Sequence, residues 1–141
     1  MALQHAHPGQ VIDIAPLGAA LRESTTHAIV KTGALELMRV VLRAGEALPP
    51  HQVRGEATLA CIEGAAEVNI AGMICQLHPG QLVLLPAQVQ HAVRALTDTS
   101  LLLTLQLTAG KAASAPTPDS TRPAGARPAF GSPGAAAMRL P

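Results

Sequence analysis

Aromatic side chains are almost absent from the sequence. It has no Trp and no Tyr, and its single Phe, Phe130, lies in the C-terminal region. The first 108 residues therefore offer no aromatic platform for stacking nucleobases or sugar rings, and no Tyr that could act as a general acid. The hydrophobic core must be built from Leu, Val, Ile, Ala and a few Met.

Cysteines and long apolar runs are also scarce. The two cysteines, Cys61 and Cys75, are too few for a disulfide framework, and such usage is typical of a reducing compartment. No apolar run reaches the 18 or so residues that a membrane span needs. Residues 1–10 lack the cationic start and apolar segment of a signal peptide. We therefore expect a cytoplasmic protein with no membrane partner.

The charges divide unequally along the chain. In the first 108 residues, six basic side chains against eight acidic ones give a net charge of −2. In residues 109–141, four basic side chains against one acidic side chain give +3. A weakly acidic folded part does not favour the phosphate backbone, so we expect no nucleic-acid partner.

The composition predicts one folded domain between two loose ends. Residues 109–141 are rich in Ala, Pro, Gly and Ser and have no hydrophobic period, which predicts a disordered tail. Residues 1–10 are predicted to be a flexible N-terminus. The domain then spans 11–108, which is enough chain for one small core.

The pattern of the domain favours strands. A helical turn or two is predicted only over 16–23, where Pro16 suits a first helical position. Short runs rich in Val, Ile and Leu, separated by Gly- and Pro-bearing turns, predict many strands and an all-β sandwich or barrel. The predicted strands cover 11–14, 27–32, 35–43, 58–63, 65–71, 73–77, 81–85, 91–96 and 100–108.

Two histidines, His51 and His91, each follow a Pro-bearing turn, and the residues around them have a recognisable spacing. Around the first histidine, the spacing G-x5-H-x-H-x3,4-E-x6-G is matched by Gly45, His51, Val53, Ala57 and Gly64. Around the second, the spacing G-x5-P-x-G-x2-H-x3-N is matched by Gly80, Pro86, Gln88, His91 and Ala95. Together these spacings resemble the two motifs of the cupin superfamily, over roughly 35–107. The segments HQVRGEATLACIEG and LLLTLQL further resemble the short single-domain bacterial cupins.

The resemblance implies a fold and an assembly. Cupins fold as small antiparallel β-barrels of two sheets, a jelly-roll or double-stranded β-helix, and they are commonly dimeric. We therefore expect a cupin-type barrel and a homodimer. In metal-binding cupins the first motif supplies two His and a Glu, and the second supplies a third His. Of these four positions, this chain keeps His51 and His91, whereas Val53 and Ala57 replace the other two.

A divalent transition metal (Zn, Fe, Mn, Ni or Cu) would need a further ligand, because catalytic sites usually have three from the protein. Cys61 is one candidate, since Ala57, Leu59 and Cys61 share a face of a regular strand. Glu56 is the other, although it points to the opposite face unless a bulge intervenes. The interior face formed by Val53, Ala57, Leu59 and Cys61 is predicted to line an apolar pocket beneath the histidines.

Three functions are compatible with this reading. The first is a sensor or accessory protein that binds a small molecule, a weakly held metal, or both, in the barrel mouth. The second is a metal-dependent enzyme of the dioxygenase or isomerase type, with His51, His91 and a third ligand. The third is a dimeric structural or interaction module.

Overall fold

Nine strands and one short 3-10 helix make up the part of the chain that the computed structural model describes, residues 5–107. The predicted tail lies outside the described residues. The 3-10 helix spans Gly18–Glu23, and the strands are β1 (His27–Lys31), β2 (Leu35–Leu42), β3 (Ala47–His51), β4 (Ala57–Glu63), β5 (Ala66–Ile70), β6 (Met73–Leu77), β7 (Leu82–Leu85), β8 (His91–Ala95) and β9 (Thr99–Gln106).

The strands form two antiparallel sheets. One has five strands in the order β1-β2-β9-β4-β7, and the other has four in the order β3-β8-β5-β6. Leu59 and Leu101 of the larger sheet and Val68 and Val93 of the smaller one are buried in a single aliphatic core. The all-β, cupin-type architecture predicted from the sequence is thereby confirmed.

Strand β3 is a difference from the sequence prediction, which placed no strand between residues 43 and 58. Pro49 and Pro50 lie within β3, and neither can donate a backbone hydrogen bond. The strand tolerates them because it lies at the edge of its sheet, and its pairing with β8 shifts in register between Leu48 and His51. As a result, His51 is the last residue of a strand, whereas the sequence predicted that it follows a turn.

The N-terminal residues form an arm along the larger sheet. Residues 11–14, predicted as a strand, have no strand pairing, and the helical turn predicted over 16–23 begins at Gly18. The arm is held by Glu63, whose carboxylate accepts hydrogen bonds from the backbone N–H groups of Leu17 at 2.7 Å and Gly18 at 3.1 Å. It is also held by the amide of Ala6, which donates to the carbonyl of Ile29. Within residues 5–107, no helix is long and apolar enough to cross a membrane.

Gly64 is a motif position whose residue type the fold requires. Its φ of +85° lies in the left-handed region, and a Cβ atom there would collide with the backbone carbonyl of Asp98. The turn from β4 into β5 therefore needs glycine. This requirement explains the last glycine of the first motif.

Candidate functional site

The two predicted histidines meet at one end of the smaller sheet. His51 ends β3, His91 begins β8, and the two residues are opposite each other in the strand pairing. Their ring centroids are 4.4 Å apart, with the ring planes at 66°, which is an edge-to-face contact. The fold thus joins two side chains that lie forty positions apart in the sequence.

Both imidazoles are oriented in the same way by the backbone. Nδ1 of His51 lies 3.0 Å from the carbonyl oxygen of Pro49, and Nδ1 of His91 lies 3.2 Å from that of Val89. A carbonyl oxygen can only accept, so each Nδ1 must carry the proton and donate it. In the neutral ring this leaves the Nε2 lone pair of each histidine for another partner.

The pair is buried on one side and open on the other. His91 shares the inward face of β8 with Val93 and Ala95, and only 5% of it is exposed, whereas His51 is exposed. Burial lowers the pKa of His91, and the nearby His51 lowers it further, against the opposing effect of the Val89 carbonyl. His91 is therefore held in the neutral form that exposes a lone pair on Nε2.

Comparison with known proteins identifies the family. The family model described as a cupin domain matches residues 38–110, which is more than half of the chain. The chain belongs to the cupin family. A search of curated proteins gave no match.

Solved structures support the fold assignment. A conserved protein of unknown function from Streptococcus pyogenes is 20% identical, with a TM-score of 0.59 over 76% of this chain and 97% of that one. A cupin superfamily protein from Desulfitobacterium hafniense is 16% identical, with a TM-score of 0.61 over 72% and 99%. A salicylate 1,2-dioxygenase from Pseudaminobacter salicylatoxidans is 20% identical, with a TM-score of 0.53 over 57% of this chain and 25% of that one. At such identities these likenesses show the fold alone.

Cys61 does not lie near the histidine pair of this cupin. Its thiol lies 3.7 Å from the carbonyl oxygen of Gly64, close to Ala66, which pairs with the far residue of β8, Ala95. His91 is at the opposite end of β8, and its Cα atom lies about 13 Å from the Cα atom of Ala95 at the usual rise per residue. Zinc–ligand bonds are only about 2.0–2.3 Å long, so Cys61 cannot complete a metal site with His91.

The protonation of Cys61 also opposes metal binding. Burial raises the pKa of the thiol, as does the charge of Glu63, against a hydrogen bond to the Glu63 carbonyl that acts to lower it. Only the thiolate is a good metal ligand, and this thiol is kept protonated. The sequence identified the correct face of β4, but alternation says nothing about the position along the strand.

Glu56 does not join the pair either. It is exposed, its amide donates to the side-chain oxygen of Gln106, and its carbonyl accepts from the Gln106 amide. Within residues 5–107, no group of three or more His, Cys, Asp and Glu side chains is arranged to hold a metal ion. The donor set of this part of the chain therefore does not fit a resident metal with three protein ligands.

The four residues predicted to line an apolar pocket divide into two groups. Ala57, Leu59 and Cys61 are only 4%, 1% and 2% exposed and belong to the packed core. Val53 instead borders a groove of about 280 Å³, together with Leu105 and Leu107, and Arg54 lies at the same groove. The role of these residues in binding stays a prediction, and Val53 is the member next to open space.

A second opening lies close to the two histidines and is lined mainly by residues that are not fixed positions of either motif. A cleft of about 230 Å³ adjoins His91 and is lined by Pro50, Asn69, Gln90 and Ala92 among others. Asn69 pairs with Ala92, one step from the inward-facing His91, so both side chains lie on the outer face of the sheet. Only the alternation of β5 and β8 could have identified them from the sequence.

Proposed function

We propose that this cupin is a binding protein that takes a small molecule bearing hydroxyl or amine groups at the barrel mouth. Nε2 of His51 and Nε2 of His91 accept hydrogen bonds from that molecule. The same pair holds a divalent transition metal only weakly. The protein then acts as a sensor or accessory protein rather than as a catalyst.

The observation that carries this proposal is the common orientation of the two rings. Each Nδ1 donates to the carbonyl two residues earlier in the chain, so each neutral ring has an acceptor at Nε2. Two acceptors beside each other suit a ligand with two neighbouring donor groups. A neutral His91 gives no attraction to an anion, so the ligand class is neutral or cationic.

The surroundings suit a molecule with an apolar part. Val53 lies two residues after His51, and its carbonyl accepts a 2.8 Å hydrogen bond from the amide of Gln88 in the loop before His91. The groove that Val53 borders has Leu105 and Leu107 on its wall, with Arg54 and Gln106 as its polar residues. An apolar wall with a few polar groups is typical of small-molecule sites.

The ligand positions of the family explain why catalysis ranks second. Val53 and Ala57 carry no lone pair for a metal, and two imidazoles alone leave a metal weakly bound. The alternative is a metal-dependent enzyme of the dioxygenase or isomerase type, and the likeness to a dioxygenase supports its fold but not its chemistry. The homodimer implied by the family stays a prediction.

Metal titration tests the proposal. Protein purified without a chelating tag is titrated with Zn²⁺ and Ni²⁺ by calorimetry, and its metal content is measured. We expect less than stoichiometric metal and a Kd above about 1 μM, which is weaker than about 8 kcal/mol of binding free energy. His51→Ala should abolish this binding, whereas His27→Ala, on the other sheet, should preserve it. Stoichiometric metal that survives dialysis would favour the enzyme instead.

Ligand binding is tested separately by NMR of ¹³C,¹⁵N-histidine-labelled protein. A panel of small diols, amino alcohols and diamines should contain molecules that shift the Nε2 resonances of His51 and His91 together. A panel of matched monocarboxylates should not. If only carboxylates perturb the pair, the proposed ligand class is wrong.

A further inference from the structure

A further cavity lies away from the histidine pair, between the N-terminal arm and the larger sheet. Its volume is about 340 Å³, and residues of the arm form one wall, among them Gln10, Val11 and Ile12. Residues of β1 and β2, among them His27 and Arg39, form the other wall. A volume of this size is at the lower end of the range for small-molecule sites.

Arg39 is a buried cation at this cavity. Only 5% of the residue is exposed, and none of the ion pairs found within residues 5–107 includes it. Its NH2 group donates to the carbonyls of Asp13 at 3.4 Å and Ala15 at 3.1 Å, and its NH1 group donates to the Ser100 hydroxyl at 3.4 Å. These bonds use three of the five N–H donors of a guanidinium.

The charge of Arg39 is balanced only at a distance. The Ser100 hydroxyl, which accepts from Arg39, donates to the carboxylate of Glu63 at 2.7 Å. Asp13 also lines the cavity, and its carboxylate accepts a hydrogen bond from the amide of Ala15. A buried guanidinium that is in ion-pair contact with no carboxylate among residues 5–107 can still gain a direct anionic partner.

The other cavity residues define the shape of such a partner. His27 pairs with Arg39 across β1 and β2, so the two side chains lie side by side on the same face. Ile29 is the extra residue of a β-bulge in β1 and borders the cavity with Val11, which is 93% exposed. An exposed valine at the rim, beside Ile12 and Ile29, leaves apolar surface for a ligand to cover.

We propose that this cavity binds a short aliphatic monocarboxylate. Its carboxylate pairs with the guanidinium of Arg39 beside His27, and its hydrocarbon chain lies against Val11, Ile12 and Ile29. Because one wall is the arm and the other is the sheet, the bound molecule fastens the arm to the sheet. Asp13 at the same cavity disfavours dianions, which limits the ligand to a single negative charge.

The experiment uses the full chain and two matched probes, sodium butyrate and its neutral isostere butyramide. In ¹H–¹⁵N spectra, butyrate should shift the amides of Val11, Ile12 and Ile29 in the millimolar range, and butyramide should bind at least about tenfold more weakly. Equal effects of the two probes, or butyrate shifts confined to other amides, would overturn the proposal. So would the absence of any shift at the highest soluble concentration.

Variants at Val11 test the location of the site and leave the hydrogen bonds between Arg39 and the arm in place. Val11→Asp should weaken butyrate binding several-fold and Val11→Lys should strengthen it, since Val11 is exposed and neither change disturbs packing. Ile74→Asp, at an exposed position on the other sheet, is the control and should leave binding unchanged. Arg39→Gln should weaken binding at least about tenfold if it folds. If the two Val11 variants bind alike, the proposal fails whatever Arg39→Gln does.

Discussion

The backbone amide of Gln88 donates a 2.8 Å hydrogen bond to the carbonyl of Val53. This bond joins the loop that follows His51 to the loop that precedes His91, so each histidine is positioned partly by the segment of the other motif. Gln88 makes the bond with a φ of +61°, a left-handed conformation that non-glycine residues seldom adopt. The cupin motif has glycine at this position.

Replacement of Gln88 by glycine should therefore stabilise the protein. The left-handed conformation costs a non-glycine residue about 1–2 kcal/mol, and the extra freedom of glycine in the unfolded chain offsets part of the gain. We expect Gln88→Gly to raise the free energy of unfolding by about 0.5–1 kcal/mol, measured by urea denaturation followed by far-UV circular dichroism. Gln76→Gly, inside β6, is the control and should lower it by about as much. A loss of stability for Gln88→Gly would mean that the glutamine side chain contributes more than its backbone costs.

Restoring the ligand set of the family should create a metal site. Val53→His combined with Ala57→Glu adds the two missing donor types, and we expect the Zn²⁺ affinity to rise by at least about 100-fold over the wild type. Ala57 is 4% exposed, so a metal-free carboxylate there should lower the melting temperature, and Zn²⁺ should recover it. The double variant Val53→His with Ala57→Gln is the matched control, and its Zn²⁺ affinity should rise much less. Equal affinities for the two double variants would show that position 57 does not face the histidines.

The stability of the fold should depend on pH through His91. The pKa of His91 is lowered in the folded state, so between that pKa and the ordinary value near 6.5 the unfolded chain binds more protons than the folded one. The contribution of His91 to the free energy of unfolding should therefore be fully present above about pH 6.5. It should fall as the pH is lowered through this window. His91→Gln should flatten this part of the profile, measured by urea denaturation from pH 7.5 to 5. An unchanged slope would show that His91 is as accessible to protons in the folded state as in the unfolded one.

Glu63 should also make the stability pH-dependent, in a more acidic range than His91 does. Burial acts to raise its pKa, but hydrogen bonds from Leu17, Ser100 and Gly18 and the charge of Arg39 together lower it below its ordinary value. The contribution of Glu63 to the free energy of unfolding is then present when the pH is above the ordinary pKa of a glutamate. It is lost as the pH falls through the lowered pKa of the folded state. At pH 7, Glu63→Gln should cost about 1–3 kcal/mol, because charge-assisted hydrogen bonds are replaced by weaker ones.

The control for Glu63 is an exposed carboxylate on the other sheet. Glu67 lies 3.8 Å from Arg94 in a partly exposed ion pair, so Glu67→Gln should cost less than about 1 kcal/mol. The difference between the two variants in the free energy of unfolding should shrink at pH 3. If it persists there, the effect of Glu63 is packing and not charge.

The two cysteines should differ in reactivity. Cys61 is 2% exposed with a raised thiol pKa, whereas Cys75 lies on the edge strand β6 and is only partly buried. In native protein at pH 8, a disulfide reagent should modify the Cys61→Ser variant, which keeps Cys75, at least about tenfold faster than the Cys75→Ser variant. Both variants should react equally fast in denaturant. Equal rates in native protein would mean that β4 opens locally.

The sequence predicts the strands well wherever turn residues mark their ends. Residues 73–77 are strand β6 as predicted, since Gly72 and Pro79 lie on either side of that apolar run. Strand β3 was missed because Pro49-Pro50 normally excludes a strand, and the edge position that permits it is a tertiary property.

The candidate site was predictable only in part. The motif spacing identified His51 and His91, and the fold brings these two together. Cys61 was assigned by strand alternation, which gives the face of a residue but not its distance from a given end of the barrel. The cavity at Arg39 had no sequence signal, because an arginine within an apolar strand gives no indication of which segment will cover it.

The arm is attached through contacts that are distant in the sequence. Glu63 contacts Leu17 from 46 residues away, and Arg39 contacts Asp13 from 26 residues away. These two anchors lie on β4 and β2, which are joined through β9, so they are in place only after those three strands have paired. We therefore expect the arm to dock late during folding and to detach first when the protein opens locally. Hydrogen exchange should then be faster at the amides of Leu17 and Gly18 than at the amides of the central strands.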